Sequence, residues 1–453
     1  MDHRKVAPME MYSVARHQLE FYKSVLCYLR FHIPSFSLSQ WQIRIEQAIR
    51  STITSQPRLR LQVDVARKEP FYIVLPMDVF DVLPLKILER THDDEEREFL
   101  ENVVTDECNT GFPLNSTSPL WRIVLVVPSH GDTVDLIWTY SHALADGISG
   151  MALFTSFVRC LAEKPTVIFT LDKDQPMNEL IPYKLPPLSS LIMKIVENLI
   201  LPGFLKQHLF PQTFWAGNIQ LTGDEWNRTR QVSFQIPGDI LDSLHKKCRS
   251  KQTTVHAALL ASFILAVTDV FGKKNMEFSC GSAVNMRRFC HPVVSNEQIG
   301  IFVSAAPSYH YIPYSEHLSD LFWPLAGQIK EQITQEIENE TISFIHTLKF
   351  VSDWKEMLIK HRKTSPNGYR SSVEISNLLR WTFETTDPTW KVLSGGFAQS
   401  ANLVGGTFVI SAVTVNDILE VIVGFQEHTF NDVDQVKLMK NRMKTTLVDA
   451  ISL

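Results

Sequence analysis

The chain has 453 residues, 44% hydrophobic and 21% charged, enough to bury two cores. Its 44 basic against 49 acidic side chains leave a net charge of −5, too mild and of the wrong sign for a polyanion-binding surface, so nucleic acid is not an expected partner. The six cysteines (Cys27, Cys108, Cys160, Cys248, Cys280, Cys290) are scattered without a C-x-x-C pair, which speaks against zinc ribbons and disulfide frameworks and favours a reducing compartment. The opening Met1-Asp2-His3-Arg4-Lys5 has no apolar h-region, so no secretory signal is expected, and the sequons at Asn115, Asn227 and Asn339 are read as chance matches. The longest uncharged stretch, 392–416, is studded with Gly, Ser, Gln, Asn and Thr, and the apolar run 257–267 falls short of the about 20 residues that span a bilayer. A soluble globular chain is expected.

In chain order, Phe99, Leu100, Val103 and Val104 recur at helical spacing behind Asp93-Asp94-Glu95-Glu96, an acidic first turn that suits the positive end of a helix dipole. Residues 121–127 read as a buried strand and 135–140 as its neighbour, across the turn Ser129-His130-Gly131-Asp132. Ser141-His142-Ala143-Leu144-Ala145-Asp146-Gly147 follows directly, and then a helix with Ile148, Met151, Phe154, Val158 and Leu161 on one face. From 176 to 215 the composition shifts, and Pro182, Pro186, Pro187, Pro202 and Pro211 break any long element, as in a crossover between two halves. Within it the apolar run 191–201 suits contact with a membrane surface; the plainer reading is a helix docked on its own domain.

The second half opens with a strand at 232–236 and a helix near 240–248. Thr253 and Thr254 offer caps for the next helix, 255–267. A strand at 276–284 delivers Asn285-Met286-Arg287, helices follow around 318–337 and 343–359, and strands return at 372–378, 406–413 and 418–424. Val436, Met439, Met443 and Leu447 mark a closing helix. Strands and helices mix in each half without regular alternation or internal repeat, so the class is α+β, with domains at 1–180 and 221–453 joined by a crossover at 181–220.

His142 stands where an apolar strand meets a helix, a corner that presents a side chain to a cleft. Histidine suits the taking and returning of a proton near neutral pH. Asp146 has two available roles: accepting a proton from His142, or pairing with an arginine to hold the corner. The spacing equally fits a buried histidine satisfied by backbone. No G-x-S-x-G, G-x-G-x-x-G or P-loop is present, His256 reads as a helix-start core residue, and Cys290-His291 lacks further ligands, so no metal is expected.

The segment Tyr140-Ser141-His142-Ala143-Leu144-Ala145-Asp146-Gly147 resembles the H-x-x-x-D-G motif of acyltransferases with the chloramphenicol acetyltransferase fold. That superfamily includes plant BAHD enzymes, peptide-synthetase condensation domains and fungal alcohol acetyltransferases. Other segments resemble family motifs in family order: Gln56-Pro57-Arg58-Leu59-Arg60, Pro119-Leu120-Trp121-Arg122, Thr254-Val255-His256-Ala257-Ala258-Leu259, Val284-Asn285-Met286-Arg287, Ile375-Ser376-Asn377-Leu378 and Phe397-Ala398-Gln399-Ser400. The last resembles the fungal alcohol acetyltransferase branch. Two departures point to a stand-alone enzyme of that branch: Ser141 stands where condensation domains carry a first histidine, and the plant D-F-G-W-G segment is missing, with Gly395-Gly396-Phe397 nearest to it.

The resemblance implies two similar domains with an active-site tunnel between them, entered by acyl-CoA from one side and an acceptor from the other. It implies His142 as general base, Asp146 paired with Arg287, Gly147 closing the motif, and Ser376, Asn377 or Ser400 as donors to the oxyanion or to CoA. The expected activity is transfer of an acetyl group from acetyl-CoA, without metal, to a small or lipophilic alcohol or amine. Longer acyl chains, or a catalytically silent binding module, are the alternatives. A cytoplasmic monomer is expected, with peripheral contact to the endoplasmic reticulum or lipid droplets if 191–201 touches membrane.

Overall fold

In the computed structural model, the described residues are 2–91, 95–184, 213–219, 227–272, 275–315 and 317–453. The acidic pair Asp93-Asp94, the apolar run 191–201 and four of the five crossover prolines (Pro186, Pro187, Pro202, Pro211) lie outside them. Two large mixed sheets, each with its own helices and its own apolar core, form the molecule. The first has five strands in the order Lys391–Gln399, Val25–His32, Thr133–Tyr140, Trp121–Pro128, Leu85–Arg90, antiparallel except for the last pair. The second has six: Val303–Ile312, Met276–Asn285, Ser371–Trp381, Gly406–Val415, Ile418–Gln426, Thr229–Ile236, with Ser371–Trp381 parallel to both neighbours. A small three-stranded sheet of Asp2–Lys5, Phe71–Val74 and Leu61–Asp64 completes the first half.

The helices form where apolar spacing and caps coincide. Gly147–Leu161 buries Ile148, Met151, Phe154, Val158 and Leu161, with Asp146 as its N-cap. Val255–Phe271 is buried through most of its length and starts at Thr254, whose side chain accepts from the Ala257 N–H. The closing helix Val433–Asp449 buries Val436, Met439, Met443 and Leu447 against the second core. The helix at 99–104 runs Glu96–Asn109, with Glu96 and Glu98 in its first turn.

One expected helix, 343–359, is instead two, Ile342–Thr347 and Trp354–Thr364, separated by a tight turn over Leu348–Phe350. Asp353 is the reason: its carboxylate accepts from the Glu356 N–H at 2.9 Å, a cap that starts a new helix rather than continuing the old one.

The two halves are not independent. Lys391–Gln399, in the span expected to build the second domain, is hydrogen-bonded along Val25–His32 in the first sheet. Gly395 and Gly396 permit this: a Cβ at Gly396 would lie 2.2 Å from the Tyr28 ring, and one at Gly395 would lie 2.6 Å from the Tyr28 carbonyl. The strand thus ends at Gln399 and Ser400 on the seam between the halves, where the candidate site residues gather. No single helix among the described residues is long and apolar enough to cross a membrane.

Candidate active site

Thr133–Tyr140 is the middle strand of the first sheet, and His142 stands just beyond its end. Val134, Leu136, Trp138 and Tyr140 enter the main first core, while Ile137 faces the opposite layer, so the strand is anchored on both faces. The corner after it is held by side chains acting on its carbonyls. Arg58 Nε donates to the Leu144 carbonyl at 2.8 Å, Tyr72 Oη to that of Ala143 at 2.5 Å, and Tyr140 Oη to that of Asp146 at 3.0 Å. Arg58 is fixed in turn by Asp174 and by Glu10, the latter at 3.0 Å. The Gln56–Arg60 motif therefore serves this corner from afar, Arg58 standing 86 residues before Leu144.

Asp146 is 2% exposed, and every hydrogen bond it makes is to something other than His142. Its Oδ1 accepts from Ser149 N at 2.9 Å, Ser149 Oγ at 2.8 Å and Arg287 Nη2 at 3.1 Å; its Oδ2 accepts from Arg287 Nη1 at 2.8 Å and Phe302 N at 2.9 Å. Arg287, 1% exposed, also donates to Ser149 Oγ and the Gln298 carbonyl. Those donors hold the Asp146 carboxyl below the usual carboxylate range although burial opposes them. Asp146 N to the Gly300 carbonyl at 3.0 Å and Gly300 N to Ser149 Oγ at 3.0 Å complete a clamp that ties the corner to the second half.

Gly147 contributes closeness rather than chemistry. A Cβ there would lie 2.7 Å from Leu378 Cδ2 and 3.3 Å from the Phe397 ring, so its bareness lets the helix start meet strands of both sheets.

His142 is half-buried, its Nδ1 shielded from solvent without a hydrogen-bond partner. Burial first, and the positive charge of Arg16 second, push the imidazole down to about 4, so the ring is neutral at pH 7. The Tyr22 ring lies 5.7 Å away, tilted by 59°. Tyr22 Oη donates to Gln399 Oε1 at 2.8 Å, and Gln399 Nε2 donates to Ser411 Oγ at 3.1 Å. Ser376 is half-buried and in register with Ser411 on the neighbouring strand, so it shares the side of the second sheet that this network reaches. Ser141 Oγ lies 3.4 Å from Nδ1 of His17, whose Nε2 is 2.6 Å from the Phe112 carbonyl.

The other two expected donors have structural work. Asn377 Oδ1 accepts from the Leu379 N–H at 2.9 Å, supporting a left-handed residue at Leu379 (φ 67°). Ser400 is 0% exposed, and its Oγ accepts from the backbone N–H of Lys23 at 2.9 Å and Ser24 at 3.3 Å. His256 Nε2 lies 3.0 Å from Ser282 Oγ, and burial pushes its imidazole down to about 4. Among the described residues no group of three or more His, Cys, Asp or Glu side chains is placed to hold a metal, and Cys290-His291 gains no further ligand. Tyr22, Arg16 and Ser411 were not expected at the site: they lie in segments without a motif. Gln399 did have a signal, since it sits inside the Phe397–Ser400 match.

The family model described as alcohol acetyltransferase matches residues 80–440. An Aspergillus fumigatus protein named "Probable alcohol acetyltransferase crmB" is 23% identical over 223 residues, 47% of this chain and 46% of that protein, so about half of that relative's length is spanned. The structure is similar to that of the trichothecene 15-O-acetyltransferase of Fusarium sporotrichioides (TM-score 0.72, 13% identity, 99% of this chain and 95% of that one). It is also similar to polyketide synthase associated protein 5 of Mycobacterium tuberculosis (TM-score 0.63, 11% identity, 99% and 98% covered) and to the epimerization domain of tyrocidine synthetase B (TM-score 0.65, 14% identity, 100% and 97% covered). At these identities the solved structures show a shared fold and nothing finer. The family model, which spans most of the chain with the His142 corner and the Arg287 clamp inside it, places the chain in the alcohol acetyltransferase family.

Proposed function

We propose that the protein is an acetyl-CoA-dependent acetyltransferase that acylates a small or lipophilic alcohol or amine, with His142 as general base. The observation that supports this best is a neutral, half-buried imidazole at the end of the central strand of the first sheet, next to the seam with the second, with Asp146 fully engaged elsewhere. A neutral imidazole takes a proton; an imidazolium does not. In this reading acyl-CoA and acceptor meet in a tunnel between the domains. The acceptor O–H or N–H attacks the thioester carbonyl while His142 takes its proton. The tetrahedral intermediate then collapses, the carbon–sulfur bond breaks, and His142 returns the proton to the CoA sulfur. Ser376, in register with Ser411 at the end of the Tyr22–Gln399 network, is the favoured oxyanion donor. Asp146 and Arg287 act as positioning residues.

The test is purified protein with labelled acetyl-CoA and a panel of alcohols and amines, following thiol release and acetylated product. Transfer to at least one acceptor is expected, and His142→Ala is expected to fold normally but lose about 10²–10⁴-fold in turnover. The acid limb of the kcat/KM profile is expected below the ordinary histidine value of about 6.5, because burial and Arg16 disfavour the charged ring. Near-normal transfer by His142→Ala would overturn the mechanism, and no transfer to any acceptor would overturn the activity.

A further inference from the structure

The last turn of the helix Pro8–Gln18 carries a buried cation to which the chemistry above gives a charge effect but no ligand. Arg16 is 6% exposed. Its guanidinium is stacked 4.1 Å from the ring centre of Tyr12 and 4.5 Å from that of Tyr22. Tyr22 is the same ring that faces His142 at 5.7 Å. Two aromatic rings thus lie against the guanidinium while its N–H groups are little used: Nη2 reaches only Ser13 Oγ at 3.4 Å, and Nε is buried with no hydrogen-bond partner.

Among the described residues Arg16 forms no ion pair with an Asp or Glu; its contacts are the two tyrosine rings and Ser13 Oγ. Glu10, on the same helix, is committed elsewhere: it accepts from Arg4, Arg58 and the Ala7 N–H. The helix C-terminus and the two tyrosine faces offset part of the burial cost. Neither supplies hydrogen-bond acceptors, and a buried guanidinium short of acceptors is costly to keep.

We propose that Arg16, clamped between Tyr12 and Tyr22, binds a carboxylate of the substrate beside His142. This rests on the acyl-transfer reading of His142 and narrows its substrate class to molecules that carry an anionic group near the reacting carbonyl or hydroxyl. A planar carboxylate matches the free edge of a guanidinium by two parallel hydrogen bonds, as an alcohol or a methyl group does not. The carboxylate has two possible sources, the far end of a dicarboxylic acyl group on CoA or the tail of a hydroxy-acid acceptor, and the two are separable.

Calorimetric binding to the full chain is measured with two matched pairs, succinyl-CoA against butyryl-CoA, and 6-hydroxyhexanoate against 1-hexanol. Within one pair the carboxylate is expected to bind at least about tenfold more tightly, the value of one charge-assisted hydrogen bond. The pair showing the preference identifies the source. Arg16→Met is expected to abolish the preference, and Arg16→Lys, which keeps the charge but not the planar fork, to keep only part of it. Should Arg16→Met fail to fold, the wild-type pairs and Arg16→Lys still decide. The proposal is overturned if neither pair favours the carboxylate in the wild type, or if the preference survives unchanged in the variant that folds. Because the readout is binding, absence of acyl transfer would count against the general-base reading without deciding the role of Arg16.

Discussion

Replacing Asp146 by Asn separates a clamp from a proton relay. The native carboxylate faces only donors: two from Arg287, two from Ser149 and the N–H of Phe302. An amide keeps one acceptor oxygen and turns an NH₂ toward at least one of these donors, while Arg287, 1% exposed, is left without a full counter-charge. Breaking a buried pair on one side costs about 3–5 kcal/mol. At roughly 2.1 cal/mol/K per residue, 453 residues unfold with an entropy of about 1 kcal/mol/K, so the expected fall in Tm is about 3–5 °C. Arg287→Met should cost about as much, because it buries an unpaired carboxylate. The double variant should cost less than the sum, since the two changes remove one interaction. Scanning calorimetry on wild type, both single variants and the double variant measures the cycle, with turnover followed in parallel and His142→Ala as the control whose Tm should barely move. If Asp146→Asn melts like wild type yet loses turnover as severely as His142→Ala, the clamp reasoning is wrong and Asp146 belongs to proton transfer.

Gly147→Ala is expected to lower Tm by forcing Leu378 and Phe397 aside, an overpacking cost of about 1–3 kcal/mol, and to do so less in a Leu378→Ala background. A second expectation concerns Glu420, which is 2% exposed beside a small cavity of about 30 Å³ between the halves and paired through Oε1 with Arg97 at 3.0 Å. Burial pushes its carboxyl up to about 7, above the ordinary value, so the stability it allows is full in acid and is lost as the pH rises through about 7. Glu420→Gln should therefore raise Tm relative to wild type at about pH 8 and give no gain at about pH 4; an equal shift at both would refute this.

Local pattern alone determined much of the molecule. Largely apolar runs marked 121–127 and 135–140 as buried strands, helical spacing marked the faces of Gly147–Leu161 and Val433–Asp449, and a threonine hydroxyl marked the start of Val255–Phe271. These rest on neighbours within a few residues, which a sequence displays directly. The position of His142 was legible for the same reason, as the residue after a strand and before a capped helix.

Tertiary structure decided the rest. That Lys391–Gln399 pairs with Val25–His32 depends on two glycines admitting the Tyr28 backbone and ring from hundreds of residues away, and no local period encodes it. Ser400 looks like a free donor in sequence, yet chain packing commits its hydroxyl to the Lys23 and Ser24 backbone. Arg16 and Tyr22 carry no motif at all. Only the packing of the helix Pro8–Gln18 against Trp354–Thr364 of the second half sets an otherwise ordinary arginine, through one tyrosine ring, where its charge acts on His142, because charge acts through space while sequence patterns act along the chain.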